Sequence, residues 1–165
     1  SIFLKRFKMP KQRKQNHRKV NSKFFILCEG KKTAPLYFKR LKIVERIYSP
    51  LVEIIIVNTE KTSAVELIEE AKKLLEAEND KAWVVFDKDG YTKHKEAFSL
   101  AESDKRINIA FSSISFEVWI LLHFTFTTKP FKNSHEVIKF LKVKQYIDLK
   151  KNDPDLYMKL KAKNE

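Results

Sequence analysis

Four short apolar runs punctuate the chain, at Phe24–Cys28, Val52–Val57, Ala82–Phe86 and Ile107–Phe111. Runs of this length between turn residues read as strands, and their lack of polar alternation implies burial on both faces. Between the runs the spacing turns helical. Thr33 is placed as an N-cap with Pro35 in the first turn, opening a helix to about Ile47 with Tyr37, Leu41, Val44 and Tyr48 on its apolar face. Ser63-Ala-Val-Glu66 is a capping box for a second helix to about Asn79, with Ala64, Ile68, Ala71 and Leu75 facing inward. A weaker helix is expected from about His94 to Ser103. Strand and helix in alternation describe an α/β fold with a central, mostly parallel sheet of about four strands and right-handed crossovers.

Extra C-terminal helices follow the fourth strand. Ser115 is read as the cap of an apolar helix on which Phe116, Trp119, Ile120 and His123 share a face, so His123 reads first as a core residue. Lys129-Pro130 breaks that pattern. Asn133-Ser-His-Glu136 starts a helix to about Leu141, and a last helix follows Asp153-Pro154. The final Lys-Ala-Lys-Asn-Glu has no cap, as a truncated C-terminus would look.

Two of the apolar runs end in acids. The first leads into Glu29-Gly30 and the third into Asp87-Lys-Asp89-Gly90, and these are the only two glycines in the chain. Glycine serves where the backbone needs positive φ or must approach a ligand closely. In an open parallel sheet, chemistry gathers beyond the carboxyl ends of the strands. If the first and third strands are neighbours, Glu29, Asp87 and Asp89 converge there, and three carboxylates together repel unless a cation lies between them. Hard oxygen ligands suit Mg²⁺ or Mn²⁺. Glu117 is either a fourth carboxylate at the strand ends or an ordinary first-turn acid favoured by the helix dipole.

Other readings of these residues stand beside that one. Asp-Lys-Asp-Gly is also a common turn sequence. A calcium loop would put Asp87, Asp89, Gly90 and Glu96 at ligand positions, but its first ligand would then be Val85, which cannot coordinate.

Charge adds a partner to the picture. Of the net +13, residues 1–23 carry nine Lys/Arg and no acid, residues 24–128 carry 15 basic against 16 acidic, and residues 129–165 carry 10 against 5. Basic ends around a near-neutral, acid-bearing centre suit a polyanion such as nucleic acid, although a solvated basic tail gives the same count. Residues 1–22 read as a basic, flexible arm in which Lys11, Arg13, Lys14, Arg18 and Lys19 are candidate nucleic-acid contacts, and residues 23–165 read as one domain. Lys31 and Lys32 either touch phosphate or offset Glu29. The single Cys28 excludes an internal disulfide framework, fits a reducing cytoplasm, and reads as a buried structural thiol. No apolar stretch approaches the ~20 residues that span a bilayer.

Taken in order, Phe25-Ile-Leu-Cys-Glu29-Gly30-Lys-Lys-Thr33 and Val84-Val-Phe-Asp87-Lys-Asp89 resemble the Toprim arrangement, a glutamate ending the first strand and an Asp-x-Asp pair ending a later one. With Leu36-Tyr-Phe38 and Phe116-Glu-Val-Trp-Ile-Leu-Leu-His123-Phe added, residues 23 to 160 resemble the RloB family of prokaryotic proteins, whose relatives include abortive-infection phage-resistance proteins. Where that family's pattern has Asn-Pro ahead of the residue preceding Phe-Glu, this chain has Ser113-Ile114 ahead of Ser115.

The resemblance implies a Toprim-like Rossmannoid fold and a metal-dependent nuclease acting with an ATPase encoded alongside, in restriction-linked phage defence. Its target would be DNA or RNA, tRNA included, and an oligomer is compatible with it. On that reading Asp87 and Asp89 hold Mg²⁺ or Mn²⁺, while Glu29 transfers a proton or positions the ion. Relatives that rejoin DNA use a tyrosine from a second domain, for which this chain offers no candidate. The alternatives from other classes are a non-catalytic nucleic-acid-binding or ATPase-regulated partner with a structural cation, and an enzyme acting on free nucleotides. Activity that survives loss of the basic arm and depends little on salt would favour free nucleotides.

Overall fold

The computed structural model describes residues 22–31, 33–88 and 93–164. The elements run β1 (Ser22–Cys28), α1 (Thr33–Val44), β2 (Val52–Val57), α2 (Ala64–Leu74), β3 (Lys81–Asp87), α3 (His94–Glu102), β4 (Ile107–Ser112), α4 (Phe116–Leu121), α5 (Ser134–Val143) and α6 (Leu156–Asn164). All four strands are parallel and lie in the order β2-β1-β3-β4. The fold is thus α/β and Rossmann-like, with helices on both faces.

The order follows from the crossovers. The connection through α1 moves outward from β1 to β2, and the connection through α2 returns past β1 to β3, so right-handed crossovers put α1 and α2 on opposite faces. Side chains alternate accordingly. Phe25, Leu27, Ala82, Val84 and Phe86 pack with Leu67, Ile68 and Ala71 of α2 and Ala97 of α3. Cys28 and Val85 face the other way, against Tyr37 of α1, Ile120 of α4, Leu141 of α5 and Leu156 of α6. Leu67 and Ile68 are fully buried, and trimming either to alanine would cost ~2–5 kcal/mol.

Helix α2 bears out its capping box. Ser63 Oγ accepts from Glu66 N at 3.3 Å and donates to Glu66 Oε2 at 2.9 Å, and Ala64, Ile68, Ala71 and Leu75 are buried as the spacing predicts. Asn133 Oδ1 likewise caps α5 by accepting from Glu136 N at 3.1 Å. The stops are less faithful to the pattern. Helix α1 ends at Val44, because Arg46 turns left-handed at φ 48° and Ile47 N donates back to Lys42 O at 3.1 Å. Those bonds satisfy carbonyls left open at a helix end, and they carry Tyr48 off the apolar face into solvent, 71% exposed. Helix α2 stops at Leu74, short of Asn79.

The reason α2 stops early is Asp80, an acid the sequence pattern does not mark. Its carboxylate is 1% exposed and accepts from the backbone N–H of Lys23 at 2.9 Å, Ala77 at 2.9 Å and Glu76 at 3.2 Å. It therefore ties the turn after α2 to the start of β1 and fixes the strand that leads to Glu29. Burial alone would raise its carboxyl, but the three backbone bonds hold it below the usual value.

Candidate functional site

Strands β1 and β3 are hydrogen-bonded neighbours, with Cys28 opposite Val85, so their ends deliver Glu29 and Asp87 side by side. Glu29 N donates to Val85 O at 2.8 Å, which extends the ladder one residue past β1. The Glu29 carboxylate then turns back across the strand end, where Oε2 accepts the backbone N–H of Asp87 at 3.1 Å. Gly30 follows at φ 74°. A Cβ built there would meet nothing within 4 Å, so backbone conformation and not crowding calls for the glycine.

These residues open into a cleft of about 440 Å³ at the carboxyl edge of the sheet. Glu29, Asp87 and Glu117 all line it. Glu117 is 4% exposed, yet it accepts no hydrogen bond and makes no ion pair among the described residues. Most of the residue is packed away while it lines the cleft, which separates Glu117 from an ordinary fully exposed first-turn acid.

The cleft also collects residues that the sequence pattern leaves unassigned. Ser134 comes from the start of α5, and Lys151 and Asn152 come from the turn before α6. Asn152 takes the left-handed conformation at φ 61°, and its Oδ1 accepts from Thr33 Oγ1 at 3.3 Å. Thr33 is thus the first residue of α1 and spends its hydroxyl on a distant loop. The only sequence signal for this wall is the turn-forming Lys151-Asn152-Asp153-Pro154 itself.

Several expectations need correction. Ser115 does hold the N-cap position of α4, but its side chain caps nothing. His123 is exposed beyond the end of α4, with its ring 4.3 Å from that of Trp119 and Nδ1 3.0 Å from Trp119 O, so it is no core residue. Lys31 lines the cleft together with Glu29 and forms an ion pair with Glu60 at 2.5 Å. Lys11, Arg13, Lys14, Arg18, Lys19, Lys32, Asp89 and Gly90 lie outside the described residues.

Cys28, one residue before Glu29, is buried as expected. Its thiol is pushed up to about 12, first by burial and then by the Asp87 charge, with Lys39 opposing. A thiol held neutral in this way is neither a nucleophile nor a ready metal ligand. Nearby, His94 stacks on Phe86, and its Nε2 lies 3.1 Å from the backbone oxygen of Asp87.

The donor set can be tested against a divalent cation. Among the described residues no three His, Cys, Asp or Glu side chains form a ready-made metal cage. Carboxylates are nonetheless the right ligands for Mg²⁺, which is commonly bound by one or two of them together with water and substrate phosphate. Glu117, lining the same cleft as Glu29 and Asp87, fits that mode of binding.

Fold and cleft together define an α/β protein whose acidic site sits at the carboxyl edge of a parallel sheet. A sequence model of the RloB-like protein family matches residues 24–165, and the chain belongs to that family. Searches of curated proteins and of solved structures found no match.

Proposed function

We propose that the chain is a metal-dependent phosphodiesterase that hydrolyses nucleic acid as the effector of an anti-phage system with an ATPase partner. The reading is carried by one observation. Glu29 and Asp87, 58 residues apart in sequence, are joined by a hydrogen bond at neighbouring strand ends, in a cleft that the buried residue Glu117 also lines.

Asp87 and Glu117, with Asp89, would hold Mg²⁺ or Mn²⁺, and the bound ion would offset charge that builds on the phosphate oxygens. The chain's own groups do the rest. Asp87 is held at the strand end by the ladder and by Glu29. Glu29 would take the proton given up by an attacking water. Water adds to phosphorus as the P–O bond to the leaving oxygen breaks, and that oxygen takes a proton from solvent while Glu29 returns its own to solvent. The uneven basic charge of the chain supports a polyanionic substrate, and the resemblance to abortive-infection proteins supports the defence role and the ATPase partner.

The test is a nuclease assay on labelled DNA and tRNA with Mg²⁺, Mn²⁺ or EDTA, comparing the intact protein with Asp87→Ala and Glu29→Ala. Metal-dependent cleavage that both variants lose, while remaining folded, is the expected result. No cleavage by the intact protein, even with the neighbouring ATPase added, would leave a non-catalytic binding partner as the function.

A further inference from the structure

The acidic cleft is also lined by groups of opposite chemistry. Ser115 is 3% exposed, and its hydroxyl is the one buried side-chain polar atom without a hydrogen-bond partner among the described residues. Leaving such a group unsatisfied costs ~1–3 kcal/mol, so it calls for an explanation. The amides of α4 are next to it in sequence, yet the hydroxyl does not cap them. Ser134, 8% exposed, lines the same cleft. Lys151 reaches the cleft from the turn before α6 and makes no ion pair among the described residues, although four carboxylates line the same space. The bond from Thr33 Oγ1 to Asn152 holds that turn against the start of α1 and so places Lys151.

Two hydroxyls and an ammonium share one property: all can donate to an anion. Lys151 is solvent-exposed where it lines the cleft, and a second cation is disfavoured beside it. Phosphate oxygens accept from hydroxyls and from lysine in charge-assisted bonds. We propose that Ser115, Ser134 and Lys151 form an anion subsite that seats a phosphate group of the substrate beside the carboxylates. The inference deepens the nuclease reading and rests on it for the identity of that substrate. It gives the helical C-terminal half a share in binding, separate from the basic arm and from the acids.

The experiment is calorimetric titration of inorganic phosphate into the full chain with Mg²⁺ present. The variants are Ser115→Ala, Lys151→Ala, Lys150→Ala as the neighbouring control, and Asp87→Asn alone and combined with Ser115→Ala. Ser115→Ala and Lys151→Ala are expected to weaken phosphate binding about tenfold each, the size of one charge-assisted bond, while Lys150→Ala leaves it unchanged. The Ser115 effect should persist in the Asp87→Asn background. Equal affinity across the variants, or no binding by the intact protein, overturns the subsite. So does a lower melting temperature for Ser115→Ala without phosphate, because it would reveal an internal partner for the hydroxyl. Phosphate affinity that depends on Ser115 and Lys151, with no cleavage of nucleic acid by any form, keeps the subsite and removes the nuclease; cleavage with unchanged phosphate affinity does the reverse.

Discussion

The backbone N–H of Asp87 donates to the carboxylate of Glu29 at 3.1 Å, so one acid of the site is fastened to the backbone that carries the other. This bond makes Glu29 both a site residue and part of the sheet edge. The two roles separate by substitution. Glu29→Gln keeps an amide oxygen that can still accept from Asp87, whereas Glu29→Ala leaves the N–H without that acceptor at a cost of ~1–3 kcal/mol. Urea unfolding should therefore place Glu29→Gln near the intact protein and Glu29→Ala below it. Cleavage should fall about a hundredfold or more in both, since the charge is gone from each. Equal stabilities for the two variants would show that the bond contributes nothing.

Asp80 provides the contrasting case of an acid with a purely architectural position. Three backbone N–H groups end on it, and Asp80→Ala should cost about 3 kcal/mol or more while an Asp80 variant that remains folded keeps its cleavage rate. Chemical denaturation and the nuclease assay check the two halves of that statement.

Acid pH should act through the same end of the sheet. Asp104 is held at about 2, against an ordinary 3.8, chiefly by side-chain and backbone bonds from Arg106, and Asp80 is also held low. Carboxyls lowered on folding bind protons more readily in the unfolded chain. Their stabilisation is thus complete above pH 3.8 and is lost as pH falls through about 2. Melting temperature should drop steeply across that window, and Asp104→Asn should flatten the drop. An identical acid profile for Asp104→Asn would contradict the assignment.

How far the sequence carries can be judged from these residues. The strands, the capping box at Ser63, and the acids at two strand ends follow from local pattern, because apolar period, cap chemistry and glycine placement are local properties. That Glu29 meets Asp87 is not local, since β3 could have been added beyond β2 just as well. It depends on the chain reversing past β1, which the sheet order provides. Lys151, Ser134 and Asn152 were illegible for the same reason: polar residues on exposed-looking segments acquire a role only when tertiary packing brings them to the cleft. Asp80 and the left-handed Arg46 ended helices that apolar spacing alone would have continued. Glu117 was legible as a first-turn acid, whereas its burial depends on packing of α4 against the sheet.

Cys28 offers a probe of this packing that leaves the site intact. With the thiol 1% exposed and held at about 12, alkylation at pH 8 should be slow in the folded chain, and its rate should track opening of β1. Labelling by iodoacetamide with mass detection, with and without low urea, measures this. Rapid stoichiometric labelling of the folded protein would be inconsistent with a buried thiol.

Glu117 gives the sharpest link between stability and function. Glu117 is 4% exposed as a residue, lines the cleft with Glu29 and Asp87, and makes no hydrogen bond or ion pair among the described residues. Glu117→Gln removes one of several acids that share the cleft at nearly constant volume, so in EDTA the variant should be at least as stable as the intact protein. A cation that binds only the folded chain stabilises it in proportion to the logarithm of its concentration. Mg²⁺ should therefore raise the melting temperature of the intact protein and do so much less for Glu117→Gln, closing or reversing the gap between them. Cleavage should fall together with that loss of response. If Glu117→Gln is instead destabilised in EDTA and still responds fully to Mg²⁺, the carboxylate is engaged within the fold, and the cation is held by Asp87, Glu29 and Asp89 without it.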